Sequence, residues 1–193
     1  MRASLILLAA PVLLSACGST APPARATTPF TAEHSEVFED GVDFIADPTH
    51  LQGAWREDWS RDLDQRVSES DLIARITVHT LRTDTDLERI NTYRLQAKID
   101  EALWGEPPED EVTLTVREGE AGFGTLEGND RRILNQPFLA FIKWYDAPDG
   151  QVRPHWHLAP ATEPVVSRVE YLIENRLRAP EDRADRRVIV HEE

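Results

Sequence analysis

The residues best suited to chemistry are the two histidines of the sequence His155-Trp156-His157. If this segment is a strand, both imidazoles point to the same side, as two ligands of a zinc ion must. Further ligands would have to come from distant residues such as His79, His191 or a carboxylate. We therefore predict no metal and no other cofactor. The pair is interpreted as the solvent face of an edge strand with Trp156 in the core, with a metal site at His155 and His157 as the alternative.

A second stretch of interest is glycine-rich and runs from Glu118 to Gly124. A phosphate cradle needs a helix N-terminus and a nearby cation, whereas this stretch carries carboxylates that repel phosphate. We interpret it as a mobile loop, or as a rim that closes on an uncharged ligand. The sequence has neither a Gly-x-Ser-x-Gly elbow nor a His-Glu-x-x-His pair, so we assign no catalytic residue.

The single cysteine, Cys17, follows an apolar run that begins at Leu5. One charge at Arg2, a short apolar core and then small residues are the pattern of a secretory signal. The run is too short to cross a hydrocarbon core of about 30 Å as a permanent helix, and Pro11 interrupts it. Residues 1–16 are therefore predicted to be a signal peptide.

The residues Leu14, Ser15, Ala16 and Cys17 resemble the lipobox of bacterial lipoproteins at every position. The resemblance implies that the Cys17 thiol receives a diacylglyceryl group and that the chain is cut before it. Two or three acyl chains hold a protein durably on a bilayer, whereas one chain binds only marginally. A secreted protein that discards Cys17 is the alternative. Gly18 in place of Asp implies sorting to the outer membrane in the enterobacterial version of the family, facing the periplasm or the surface.

Charge excludes two classes of partner. The chain carries a formal charge of −14, which becomes −15 after removal of residues 1–16 because Arg2 is the charged residue lost. Such a surface repels phosphate backbones and anionic headgroups, so we predict no nucleic-acid partner and membrane attachment through the lipid on Cys17 alone. An acylated Cys17 also leaves no thiol for a disulfide or a cysteine nucleophile.

The elements that position these residues are mostly strands. Alternating apolar residues predict strands from Leu72 to His79, from Tyr93 to Ile99 and from Val112 to Val116, with a slip of the pattern at Glu101. Phe138 to Tyr145 is apolar on both faces, which is typical of a doubly covered strand. Pro148-Asp149-Gly150 then predicts a turn into a fifth strand, Val152 to Leu158.

Two amphipathic helices flank these strands. A short one is predicted over Ser60 to Glu69, and a longer one from Pro164 to Pro180 carries Val165, Val169 and Ile173 on one face. Val188 to Val190 could add a closing strand. The predicted fold class is mainly β (α+β), a small antiparallel OB-like barrel or bent sheet of about five strands flanked by these helices.

The segment from Tyr93 to Val116 resembles bacterial domains related to tissue inhibitors of metalloproteinases. The resemblance is carried by Glu101-Ala102-Leu103-Trp104-Gly105 and by Pro107-Pro108 before Val112. It implies a similar barrel. It does not imply inhibition, since those inhibitors use a free N-terminal cysteine amine and disulfides, whereas Cys17 is predicted to be lipidated.

The predicted organisation is therefore a signal peptide (1–16), a lipidated Cys17 with a disordered tether (17–32), an irregular acidic and aromatic segment packed on the domain (33–59), and a β-barrel-like domain with a C-terminal helix (60–193).

Three functions stay open. The first is a non-catalytic, lipid-anchored envelope protein that binds or assembles with an envelope partner. The second is a metal or small-solute site at the barrel mouth, near the loop from Gly122 to Gly128 and the two histidines. The third is an unrecognised hydrolase, which requires a buried carboxylate or histidine with a shifted pKa in a cleft.

Overall fold

The computed structural model describes residues 28–185, with side chains up to Arg176. The fold is α+β and mainly β, and its sheet of six strands is curled into a half-barrel. The elements are α1 (Ala32–Val37), β1 (Gly41–Val42), a 3₁₀ turn (Pro48–His50), α2 (Ala54–Glu69), β2 (Leu72–Thr85), β3 (Asn91–Trp104), β4 (Glu111–Arg117), α3 (Phe123–Leu126), α4 (Asp130–Ile133), β5 (Pro137–Asp146), β6 (Val152–Pro160) and α5 (Glu163–Asp185).

The strand order is β1-β6-β5-β2-β3-β4. The predicted bent sheet is confirmed, and its five long strands pair antiparallel. The sixth strand, β1, was not predicted and lies parallel to β6, with Gly41 opposite His157 and Val42 opposite Leu158. A strand of two residues is too short to show an alternation of apolar and polar residues, so the sequence could not predict β1.

The bend of the sheet comes from irregular pairing between its two longest strands. Arg75 pairs with Glu101 while the next residue, Ile76, pairs with Ile99, so Asp100 is an extra residue on β3. This is the bulge that the slip at Glu101 predicts. An extra residue on one strand increases the local twist, which helps the sheet to curl.

Each face of the sheet packs a separate apolar cluster. Phe138, Ala140 and Ile142 of β5 lie in the cluster inside the curl, together with Trp156. The alternate residues Leu139 and Phe141 lie in the outer cluster against α1, α2 and α5. The prediction of a doubly covered strand is therefore confirmed.

Both flanking helices are longer than predicted. Helix α2 begins at Ala54 rather than at the predicted Ser60. The sequence did not indicate its first turn, because that turn is exposed and has no apolar period; Trp55, for example, is 78% accessible. Helix α5 continues to Asp185, past Pro180. Proline lacks the backbone donor of a helix interior, yet its fixed φ of about −65° is compatible with the helical conformation.

The segment before α2 is more regular than expected, since it holds α1, β1 and the 3₁₀ turn. The end of the predicted tether also packs on the sheet, because Pro29 forms a bridge with Asp146. The predicted signal peptide, Cys17, the predicted tether up to residue 27 and the predicted closing strand at Val188 to Val190 lie outside the described residues. Among the helices within residues 28–185, none combines the length and apolar character needed to span a bilayer.

Candidate functional site

Two consecutive carboxylates on the segment before β1 meet the two histidines of β6. Asp40 Oδ2 lies 2.7 Å from His155 Nδ1, and Glu39 Oε1 lies 2.9 Å from His157 Nδ1. The backbone fixes this register, because Asp40 N donates to the Trp156 carbonyl and Asp40 Oδ1 accepts from Trp156 N, both at 2.9 Å. The sequence therefore places one carboxylate beside each imidazole.

The glycine-rich stretch holds this segment in place. Gly122 N donates to the Glu39 carbonyl at 2.8 Å, and a Cβ on Gly122 would stand only 2.3 Å from the Asp40 carbonyl oxygen. Asp40 itself has a φ of +57°, a left-handed backbone conformation that is uncommon for residues other than glycine and is often found at functional positions. The close approach of Gly122 and the strained Asp40 are thus parts of one junction.

The pair formed by Glu39 and His157 belongs to a buried ionic cluster. Arg66 of α2 donates from Nη2 to Glu39 Oε2 at 3.2 Å and from Nε to the Val37 carbonyl at 3.0 Å. His157 Nε2 lies 3.5 Å from Asp43 Oδ2. Burial raises the pKa of Glu39, but the hydrogen bond from His157 and the charges of His157 and Arg66 outweigh it and bring the pKa down to about 2. This cluster ties α2 and β6 to the segment between them.

The pair formed by Asp40 and His155 has a different balance. Burial raises the pKa of Asp40 to about 6, although the hydrogen bond and charge of His155 and the hydrogen bond from Trp156 N oppose the rise. The carboxylate of Glu120 adds to the increase through like-charge repulsion. A carboxyl group that titrates near neutrality is a usual feature of sites that bind ligands or transfer protons.

Two cavities open beside this pair. One has a volume of about 410 Å³ and the other about 230 Å³. Both are lined by Phe30, Asp40, Glu120 and His155. We call the two cavities together the His155 groove.

The groove lies where the edge strand β4 approaches β6 across the curl of the sheet. Its larger cavity is lined by β4 through Thr115 and Arg117 and by β6 through Arg153 and Pro154. Trp156 Nε1 donates to the Thr115 carbonyl at 3.2 Å and connects the two strands beside the groove. The polar lining therefore comes from two strands that are not neighbours in the sheet.

An aromatic ring covers one side of His155. The Phe30 ring is stacked on the imidazole with 3.5 Å between centroids and 1° between planes. The Phe30 ring also packs edge-on against Tyr145, with 5.1 Å between the ring centroids. Phe30 thus holds the imidazole plane of His155 in one orientation.

The structure corrects the interpretation of the two histidines. Trp156 is in the core, as predicted, but His157 is only 1% accessible, and β6 is not an edge because β1 lies beside it. His155 borders the groove and His157 does not. His79 pairs with Glu111 at 3.6 Å, and the described residues contain no group of three or more His, Cys, Asp or Glu arranged to hold a metal ion. His191 lies outside the described residues.

The glycine-rich stretch does reach the site, because Gly119, Glu120 and Ala121 line the smaller cavity. Sequence reasoning missed Phe30, Glu39 and Asp40. Their partners lie more than a hundred positions away, and the acidic composition around Glu39 and Asp40 gave no reason to select them from the other carboxylates. The left-handed backbone at Asp40 leaves no sequence signal either, since the residue is not glycine.

No protein-family model matches the chain, and no curated protein matches its sequence.

Proposed function

We propose that this protein is a lipoprotein of the bacterial cell envelope, anchored through acyl chains on Cys17, and that its curled sheet binds a small uncharged ligand in the His155 groove. The observation that carries the binding role is the groove itself, with buried Asp40 and its partly exposed partner His155 at its wall. Its larger cavity falls within the range of about 300–1,000 Å³ that is usual for small-molecule sites.

Three features set the groove apart from an ordinary surface depression. Asp40 is 5% accessible yet ionisable, it has a strained φ, and its partner His155 borders open space. An uncommon backbone conformation and a shifted pKa at one residue of a cavity wall are features that functional sites often combine.

Charge favours an uncharged ligand. Asp40 and Glu120 line both cavities, and the arginines at the rim are already paired, Arg117 with Asp86 at 2.9 Å and Arg153 with Asp149. An anion would meet these carboxylates on a chain with a strong negative charge, whereas a cation would meet Arg117 and Arg153 in the larger cavity. A ligand with hydrogen-bonding groups and an apolar part suits a lining that contains Thr92, Thr115 and Phe30.

The anchor places this groove near a membrane. Thirteen positions separate Cys17 from Phe30, which lines the groove. A fully extended chain covers at most about 3.5 Å per residue, so the groove lies within roughly 45 Å of the bilayer surface. The proposed location is the cell envelope, at the outer membrane facing the periplasm or the surface.

The anchor is tested by blocking the lipoprotein signal peptidase with globomycin. We expect an acylated, uncleaved precursor to accumulate, and Cys17→Ser to abolish both acylation and detergent-phase partitioning. Unchanged processing in the presence of globomycin contradicts the anchor.

The binding role is tested by saturation-transfer NMR on the full-length protein in detergent with a panel of uncharged small molecules. We expect hits that His155→Gln abolishes and that His50→Gln retains, because His50 lines neither cavity of the groove and its side chain is 85% accessible. Hits that survive His155→Gln, or a panel without hits, contradict the proposal. Capture of a specific envelope protein by the lipidated chain would instead support the assembly role that the sequence left open.

A further inference from the structure

We propose that the His155 groove hydrolyses small uncharged carboxylic esters, with His155 as the general base that activates water and Asp40 as the residue that positions its ring. This inference rests on the proposed ligand-binding role of the same groove and names the chemistry that follows binding.

Asp40 and Trp156 fix the orientation of the His155 imidazole. The Asp40 carboxylate accepts a hydrogen bond from Trp156 N at Oδ1 and lies 2.7 Å from His155 Nδ1 at Oδ2. An ionised carboxylate has no proton to donate, so the proton of the neutral imidazole resides on Nδ1 and Nε2 keeps its lone pair. Asp40 therefore prepares Nε2 to accept a proton.

The second feature of His155 is its access to the groove. Among the described residues, none forms a hydrogen bond with His155 Nε2, and the ring borders both cavities of the groove. The side chain is 19% accessible, and Phe30 covers one of its faces. The nitrogen that Asp40 does not hold is consequently the one that a bound water or ligand can reach.

His157 lies on the same strand as His155 and serves as a comparison, because its contacts are those of a structural histidine. It too has a carboxylate on Nδ1, but its side chain is 2% accessible and its Nε2 lies 3.5 Å from Asp43 Oδ2. It lines neither cavity. Each histidine has its own carboxylate partner on Nδ1, but only His155 has access to the groove, which assigns the chemistry to His155.

The reaction needs only water as a second reactant. His155 Nε2 takes a proton from water while the water oxygen forms a bond to the ester carbonyl carbon. The bond from that carbon to the alkoxy oxygen then breaks, and His155 returns the proton to the departing alkoxide. The products are a carboxylic acid and an alcohol. Asp40 stabilises the imidazolium that exists between the two proton transfers.

The substrate class follows from the charge and size of the groove. An ester is uncharged, so the carboxylates of Asp40 and Glu120 do not repel it. Phe30, Pro148 and Pro154 offer apolar contacts for its acyl or alcohol part. The volume of about 410 Å³ accommodates a small ester together with the attacking water.

The test measures release of p-nitrophenolate from p-nitrophenyl acetate and butyrate by the full-length protein in detergent micelles. We expect saturable turnover that His155→Gln lowers by about 100-fold or more, the usual contribution of a general base. The matched control is His79→Gln, because His79 lies on the sheet surface beside Glu111, and it should leave kcat/KM unchanged. This control separates the groove from the general reactivity of histidines with activated esters.

The role of Asp40 is separated from a structural one by a pH profile. With His155 as the base and Asp40 beside it, kcat/KM rises with pH to a plateau, and in Asp40→Asn the plateau is lower and the midpoint shifts because the ionisable group next to the imidazole is gone. Thermal unfolding of each variant verifies that it is folded. An unchanged midpoint in folded Asp40→Asn contradicts the positioning role.

Two results overturn the proposal in distinguishable ways. Binding of an intact uncharged ligand that His155→Gln abolishes, without ester turnover above that variant, refutes hydrolysis and leaves the binding function in place. Absence of both turnover and ligand binding refutes the hydrolysis and the binding function together.

Discussion

Trp156 Nε1 donates a hydrogen bond to the Thr115 carbonyl at 3.2 Å, and this bond joins β6 to β4. The two strands are separated by three others in the sheet, so the bond connects the edge strand β4 to β6, the strand next to the opposite edge, through the curl. The indole is fully buried in the cluster inside the curl. The Trp156 side chain therefore packs in the interior of the curl and also joins β4 and β6, the two strands that line the larger cavity of the His155 groove.

Replacing this residue tests that relationship. Trp156→Phe removes the donor and part of the buried ring, which should lower the free energy of unfolding by about 1–3 kcal/mol. Urea denaturation measures the loss. Trp55→Phe is the matched control, since Trp55 is 78% accessible and should change stability by less than about 0.5 kcal/mol. Equal effects of the two substitutions would contradict the role of the Trp156 bond.

The close approach of Gly122 to the Asp40 backbone gives a second prediction. A Cβ at Gly122 would stand 2.3 Å from a carbonyl oxygen, so Gly122→Ala must displace the segment that carries Glu39 and Asp40. We expect a loss of about 3 kcal/mol in urea denaturation, at the upper end for overpacked sites. Gly124→Ala is the control, because a Cβ there meets nothing within 4 Å and should alter stability by less than about 1 kcal/mol. A well-tolerated Gly122→Ala would show that this junction is not tightly packed.

Strand β3 could be predicted from the sequence, whereas the contacts of Glu39 and Asp40 with the histidines could not. Alternation in β2 to β4 predicted the strands, and its interruption at Glu101 predicted a bulge, because burial of one face imposes a period of two on the residues themselves. The curled sheet follows from such local patterns. The same reasoning expected His157 on a solvent face, since nothing near it in sequence indicates Glu39 or Asp43.

The site could not be derived because its contacts are long-range and its partners are common residue types. Asp40 precedes His155 by 115 positions, and its carboxylate is one of many in an acidic chain. Phe30 stands among prolines and threonines that predict a tether, yet it stacks on His155. Such positions are selected by the assembled fold rather than by a local period, so only the structure brings them together.

Glu39 gives a prediction for acid pH. Its pKa falls from 4.5 to about 2 in the folded protein, so its ionised form contributes stability that is complete above pH 4.5 and is lost as the pH falls toward 2. The advantage of the wild type over Glu39→Gln should shrink across this window, by roughly 3 kcal/mol at most. Urea denaturation at pH 5 and at pH 2.5 measures the change. A difference that is independent of pH would contradict the ionic cluster of Glu39, His157 and Arg66.

The neighbouring carboxylate has the opposite pH dependence. The pKa of Asp40 rises from 3.8 to about 6 on folding, because burial, helped by Glu120, outweighs the contacts with His155 and Trp156 N. Stability from its protonated form is therefore complete below pH 3.8 and is lost as the pH rises through 6. Asp40→Asn cannot ionise, so its stability relative to the wild type should increase between pH 4 and pH 7, by roughly 3 kcal/mol at most.

Urea denaturation of both proteins at the two pH values measures this increase, and Asp62→Asn provides the control because Asp62 lies on the exposed side of α2, with a side chain 44% accessible. If the difference in the free energy of unfolding between Asp40→Asn and the wild type is the same at both pH values, the pKa of Asp40 is not raised by folding. The expected combination is a variant whose stability relative to the wild type rises toward neutral pH and whose groove function is reduced. That combination is typical of a residue retained for activity at a cost in stability, since a purely structural Asp40 would lose stability when replaced.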